Sequence, residues 1–158
     1  MRTITFSIPG EPQGKARPRV VRNKYTGASM SFTPDKTVAY EELVRVRYTQ
    51  AAHGERFGEI PLRISIRAVY SIPKSKSNRD KSRMLAGELR PTKKPDCDNI
   101  VKIICDALNG VAYPDDKQIT EASIRKVYGD VPGVIVSLAE IKKGGIDCAE
   151  AIRGTCSL

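Results

Sequence analysis

The sequence predicts an α+β fold: a mixed β-sheet with two main helices packed on it. Three observations lead there. Thr3–Ile8 and Leu62–Ile72 alternate apolar and polar residues with the period of a half-buried strand. Two other stretches, one after Thr33 and one from about Asp98, repeat apolar residues every three or four positions, the period of a helix. The elements follow one another as strand, loop, helix, strand, basic insertion, helix, strand, strand, an α+β order with a mixed sheet.

In the opening strand Ile4, Phe6 and Ile8 face one way and Thr3, Thr5 and Ser7 the other, and Pro9-Gly10 ends it. The next stretch, GEPQGKARPRVVRNKYTG, holds Lys15, Arg17, Arg19, Arg22 and Lys24 with almost no acid. Lys15, Arg17 and Arg19 are spaced by two, so an extended backbone presents them on one side, as a phosphate backbone requires. A solvated basic loop has the same composition. Ala28–Phe32 reads as a short strand.

Thr33-Pro34-Asp35 is a helix start, with Thr as N-cap, Pro at the first position and an acid in the first turn. Tyr40, Leu43, Val44, Tyr48 and Ala51 form its apolar face, and Glu41 four before Arg45 supports an exposed opposite face. The helix should end near His53-Gly54, where the lone histidine reads as a cap, having no acid or nucleophile beside it. In Leu62–Ile72, Leu62, Ile64, Ile66, Ala68, Tyr70 and Ile72 share the buried face.

After Pro73 comes a basic insertion, about residues 74–94, with a short helix expected around Arg79–Ala86. It carries Lys74, Lys76, Lys93 and Lys94 and is the candidate for a mobile clamp on nucleic acid. Gln118–Tyr128 reads as a strand with a bulge, and Val134–Ile141 as a nearly continuous apolar, interior strand. The DVPG turn between them predicts that they pair as a hairpin. Residues 1–141 form the expected domain. Residues 142–158 form a tail, with a short helix expected at Ile146–Ile152.

The chain of 158 residues has 27 Lys+Arg against 18 Asp+Glu, a net charge of +9, which favours polyanionic partners, nucleic acid first. Its four cysteines form no CxxC pair and its only histidine is His53, so no zinc-ligand spacing exists. Reduced thiols, no apolar run of signal-peptide type and no stretch approaching ~18 apolar residues predict a cytoplasmic protein without a membrane span.

The chemistry concentrates in Lys93–Gln118. With Asp98 near the helix N-cap, Ile100, Ile103, Ile104, Ala107, Leu108 and Val111 cluster on one face, and Asp98, Lys102, Asp106 and Asn109 fall on the other. Taken alone, Asp98, Lys102 and Asp106 have the spacing of an ion-pair ladder. Asp96 can point to the same side as Asp98, and Asp115-Asp116 form a second acidic pair after Pro114. If that loop returns beside the start of the helix, three or four carboxylates converge. Clustered carboxylates raise one another's pKa, and a divalent cation such as Mg²⁺ removes that penalty. Such an ion activates water and polarises a phosphate, and Lys102 beside it suits a phosphate or its pentavalent form. Acidic pocket and basic surroundings together point to a metal-dependent nuclease. Asp106, two turns down the face, reads as an ion-pair partner or structural residue.

The run Lys94-Pro95-Asp96-Cys97-Asp98-Asn99-Ile100-Val101-Lys102, then Asp106-Ala107-Leu108, then Asp115-Asp116-Lys117-Gln118, resembles the RusA family of Holliday-junction resolvases. That family carries a DxDNxxK segment opening a helix, a DAL within it and a DDxQ before a strand. The resemblance spans about Thr3–Ile141, and the GKARPR loop and long insertion look like its phage and prophage branch. It implies a homodimeric, Mg²⁺-dependent crossover junction endodeoxyribonuclease, with Mn²⁺ as a substitute, serving DNA recombination and repair by nicking two opposed strands of a four-way junction. It carries the metal-ligand role to Asp96, Asp98 and Asp116, with Asp115 the less certain half of its pair, and the catalytic lysine role to Lys102. Two alternatives stand beside it: a restriction-like PD…ExK site built from Asp96, Glu140 and Lys142, and a branched-DNA-binding protein without catalysis.

Overall fold

The structure is a computed structural model and describes residues 2–141. The helix expected at Ile146–Ile152 lies outside the described residues. The main sheet has four strands in the order β1 (Thr3–Pro9), β6 (Gly133–Glu140), β4 (Leu62–Ser71) and β5 (Ile119–Gly129). β6 is antiparallel to both its neighbours, and β4 and β5 run parallel, so the sheet is mixed as the element order predicts. A separate two-stranded sheet joins β2 (Arg19–Arg22) to β3 (Ser29–Phe32). Among the described residues three α-helices complete the fold: α1 (Asp35–Ala52), α2 (Asn78–Leu85) and α3 (Cys97–Leu108).

One apolar core lies between the sheet and two helices. Ile4, Phe6 and Ile8 of β1, the even-numbered residues Leu62 to Tyr70 of β4, and Val134, Val136 and Leu138 of β6 form its floor. Tyr40, Val44, Tyr48 and Ala52 of α1, with Ile100, Ile103, Ile104, Ala107 and Leu108 of α3, form its roof. These are the faces that period two and period 3.6 pick out. On the opposite, solvated face Thr5, Ser137, Ser65 and Ser123 lie in register as one row of hydroxyls across all four strands. Thr5 Oγ1 and Ser137 Oγ are 3.0 Å apart, and Ser123 donates to Ser65 across 3.1 Å. α1 ends as expected, with His53 in the left-handed region at φ 49° followed by Gly54.

Three expectations are corrected. β5 and β6 do not pair as a hairpin. β6 instead lies between β1 and β4, and the three residues after Gly129 carry the chain over the end of β4. Burial explains the choice: the inward residues of β6 are fully covered, whereas Ile119, Ile124 and Tyr128 of β5 are only partly buried, as suits an edge. The basic loop contains a strand, β2, whose RVVR does not alternate and which pairs with β3. Glu41 does not pair with Arg45. It meets Lys15, and Arg45 donates to the Ala107 carbonyl on α3 (3.1 Å) and pairs with Glu42 (3.3 Å).

Candidate nuclease site

α3 carries the central acidic motif. Its N-cap is Asp96, in extended conformation, two residues earlier than the sequence places the cap, and Asp98 sits in the first turn. The Asp96 side chain makes no capping hydrogen bond, although an N-cap carboxylate ordinarily accepts from the second or third backbone N–H. Asp96, Asp98 and Lys102 are exposed, on the face away from the buried isoleucines. The ladder allowed by the spacing is absent: among the described residues neither Asp98 nor Lys102 has an ion-pair partner. Asp106 pairs instead with Lys15 at 2.9 Å. It is the structural partner its position two turns down predicts.

The approach to α3 is fixed from two sides. Lys126 of β5 donates to the carbonyls of Lys93 (2.5 Å) and Pro95 (3.0 Å), and Tyr70 of β4 donates to the Pro95 carbonyl at 3.4 Å. Burial, followed by the charges of Cys97, Glu11 and Asp96, pushes the Tyr70 hydroxyl up to about 12, so it stays a donor. The ammonium groups of Lys93 and Lys126 lie 5.1 and 5.2 Å from the Tyr70 ring centre. On the other side Gly14 packs on Pro95 and Asn99, and the Lys15 N–H donates to the Asn99 carbonyl at 3.0 Å. Alternation marks Tyr70 as a buried residue of β4, but no sequence signal ties Tyr70, Lys126 or Gly14 to α3. Each tie is found only through contacts far apart in the chain.

The second acidic pair lies in a turn of 3-10 helix, Asp116–Gln118, directly before β5. Asp115 caps it: its carboxylate accepts the Lys117 N–H (3.0 Å) and pairs with the Lys117 ammonium (3.2 Å). The Lys117 backbone bond, then its side chain, hold the Asp115 carboxyl below the usual range. Gln118 closes the capping box at the Asp115 N–H (3.2 Å) and donates to the carbonyls of Gly58 (2.6 Å) and Ile60 (3.1 Å). So in DDxQ the first acid and the glutamine build the turn, and Asp116 is left exposed.

The loop does return alongside α3. Buried Cys105 of that helix, raised to about 11 chiefly by burial, also feels the charges of Asp116 and Asp106. Among the described residues no three acids, thiols or imidazoles stand close enough to enclose an ion. The donor chemistry still fits a hard cation. Among the described residues Asp96 and Asp98 offer carboxylate oxygens without an ion-pair partner, and Mg²⁺ typically takes one or two carboxylates with waters and substrate phosphate.

The basic residues divide. Arg17, Lys74, Lys76, Lys93 and Lys94 are exposed, and Arg19 opens β2. Lys15 is not on that exposed row. It is held between Glu41 of α1 and Asp106 of α3, its side chain 24 % exposed. Lys74 and Lys76 precede α2, an ordered element with Ser77 accepting the Asp80 N–H at 3.1 Å and Met84 buried. The two acids of the PD…ExK arrangement do not come together, and its Lys142 lies outside the described residues. Glu140 pairs in register with Leu62 and binds Arg2 at 3.0 Å, whereas Asp96 follows the carbonyl that Tyr70 holds, toward the other end of β4, eight residues or roughly 26 Å along the strand.

The family model described as endodeoxyribonuclease RusA matches residues 9–139. The chain belongs to the RusA endodeoxyribonuclease family. RusA proteins are Holliday-junction endonucleases that bind branched DNA, and the match runs from the end of β1 through nearly all of β6, with α3 and the Asp115–Gln118 turn inside it. The chain is also 35 % identical over 144 residues to the uncharacterized protein YqaN of Bacillus subtilis (strain 168), covering 89 % of this chain and 99 % of that relative. Among the described residues no helix is long and apolar enough to cross a membrane.

Proposed function

We propose that this RusA-family chain acts as a homodimer that resolves four-way DNA junctions by metal-dependent nicking of two opposed strands, one nick per protomer. One observation carries the reading: Asp98 and Lys102 stand one turn apart on the solvent face of α3, both without ion-pair partners among the described residues, directly after an Asp96 whose carboxylate caps nothing. Asp96, Asp98 and Asp116 are the residues that would hold Mg²⁺ or Mn²⁺. When bound, the ion supplies an activated water and charge neutralisation at the phosphate. Lys102 binds the scissile phosphate and stabilises the added charge of its pentavalent form. Asp115 acts through the turn that orients Asp116. Arg17, Arg19, Lys74, Lys76, Lys93 and Lys94 hold the flanking backbone, a contribution that weakens steeply with salt.

The test uses labelled four-way junction, flap, fork and linear duplex with Mg²⁺ or Mn²⁺, for wild type, Asp98→Asn and Glu140→Gln. Symmetric, ligatable nicks near the junction centre are expected, lost in Asp98→Asn and kept in Glu140→Gln. Equal cutting of linear duplex would remove the structure-specific part of the reading. Binding without cutting in either metal would leave a junction-binding protein without catalysis.

A further inference from the structure

The β2–β3 hairpin stands apart from the main sheet and is open on both faces. Val20 and Met30, which the pairing register puts on opposite faces, are each 67 % exposed, and Tyr25 in the connecting turn is 99 % exposed. A lone two-stranded hairpin is marginal in water, so large apolar groups displayed on one indicate a surface that is covered in use. Charge selects the partner. No acid occurs in residues 12–34, whereas Arg17, Arg19, Arg22 and Lys24 all fall there. That complements a polyanion.

The turn holds Tyr25 in place. Asn23 Oδ1 accepts the N–H groups of Tyr25 (2.9 Å) and Thr26 (3.3 Å), and the Gly27 N–H donates to the Asn23 carbonyl at 2.9 Å. Gly27 supplies the left-handed φ of 67° that the turn needs. The root of the hairpin is fixed at the candidate site, because Gly14 and Lys15 are docked on the first turn of α3. Ten residues from Lys15 to Tyr25 span at most about 36 Å, so the tip stays within reach of DNA bound at Asp96 and Asp98.

We propose that this hairpin is a base-stacking finger. Tyr25 stacks on a base exposed at the branch point, and Arg22 and Lys24 engage the adjoining phosphates. A duplex interior offers base edges only, whereas a branch point or single strand offers the flat face on which an aromatic ring stacks. The inference rests on the junction reading above but not on cleavage.

The test is binding in EDTA to a four-way junction carrying 2-aminopurine at its centre and to a linear duplex of equal length. Tyr25→Ala is expected to bind the junction about ten-fold more weakly, with duplex binding unchanged. It should also lose the 2-aminopurine fluorescence change that wild type produces, and Tyr25→Phe should keep it. Because Tyr25 touches solvent alone, neither change endangers the fold. Equal losses on junction and duplex, or no loss, would overturn the proposal. So would sedimentation showing that Tyr25→Ala breaks a dimer, which would make the hairpin a self-association surface. A wild type that binds junctions and never cuts them ends the nuclease reading alone.

Discussion

Gly14 lies against Pro95 so closely that a β-carbon on it would stand 2.7 Å from Pro95 Cβ and 3.1 Å from Asn99 Cβ. This contact joins the basic N-terminal loop to the first turn of the helix that bears Asp98. Gly14→Ala should therefore push the loop off α3 and break the Lys15–Asn99 backbone bond. A cost of about 1–3 kcal/mol is expected in chemical denaturation, with a larger fractional loss of junction cleavage than of duplex binding.

Asp98 and Asp106 share a helix face but not a task. Asp98→Asn should abolish cleavage and leave the denaturation midpoint nearly unchanged, since no described residue pairs with it. Asp106→Asn should do the reverse, lowering stability by about 1 kcal/mol through the loss of its Lys15 contact while cleavage persists. Parallel melts and cleavage time courses decide between them. Lys102→Ala should slow cleavage by about 10²–10³-fold with junction binding retained.

The two acids of the DDxQ turn should separate in the same way. Asp116→Asn is expected to abolish cleavage. Asp115→Asn keeps cleavage but loosens the turn, and Gln118→Ala, which removes both the capping box and the hold on Gly58 and Ile60, should cost about 1–2 kcal/mol. If Asp115→Asn proved as inactive as Asp116→Asn, with stability intact, Asp115 would be a ligand and not a cap.

Lys15 makes an alkaline prediction. Burial lowers its pKa, but the hydrogen bonds and charges of Glu41 and Asp106 outweigh that and raise it. A raised folded-state pKa means that the stabilisation is fully present below the unfolded value of about 10.4 and is lost as pH rises through the folded value. The stability difference between wild type and Lys15→Met should be constant from pH 7 to 9 and shrink above roughly pH 10.5. Denaturant melts across that range measure it.

Local pattern carries much of this fold. The helical wheel that separates Asp98 and Lys102 from Ile100, Ile103 and Ile104 needs only a 3.6-residue period, and the buried face of β4 needs only alternation. What local pattern lacks is partner choice. A three-residue turn between two strands ordinarily makes a hairpin, and only the demand for complete burial at Val134, Val136 and Leu138 sends β6 to the middle of the sheet. Lys15 reads as a free cation because Glu41 and Asp106 are far from it in the chain. The contacts of Lys126, Tyr70 and Gly14 with the approach to α3 are invisible for the same reason. The distance of Asp116 from the first turn of α3 depends on where the loop after Leu108 lands, which no period encodes.

The position of β6 also governs when the protein takes shape. Thr3 pairs with Ala139, and β1 touches β4 only through β6, so β1, the first of the described strands, has α1 to pack on but no strand partner until the last described strand appears. A chain with so many long-range pairings should fold slowly, and its nascent form should stay sensitive to protease until residues 133–140 emerge. The floor beneath α3 is incomplete until then. A site that rests on this floor is therefore the last part of the described fold to be completed.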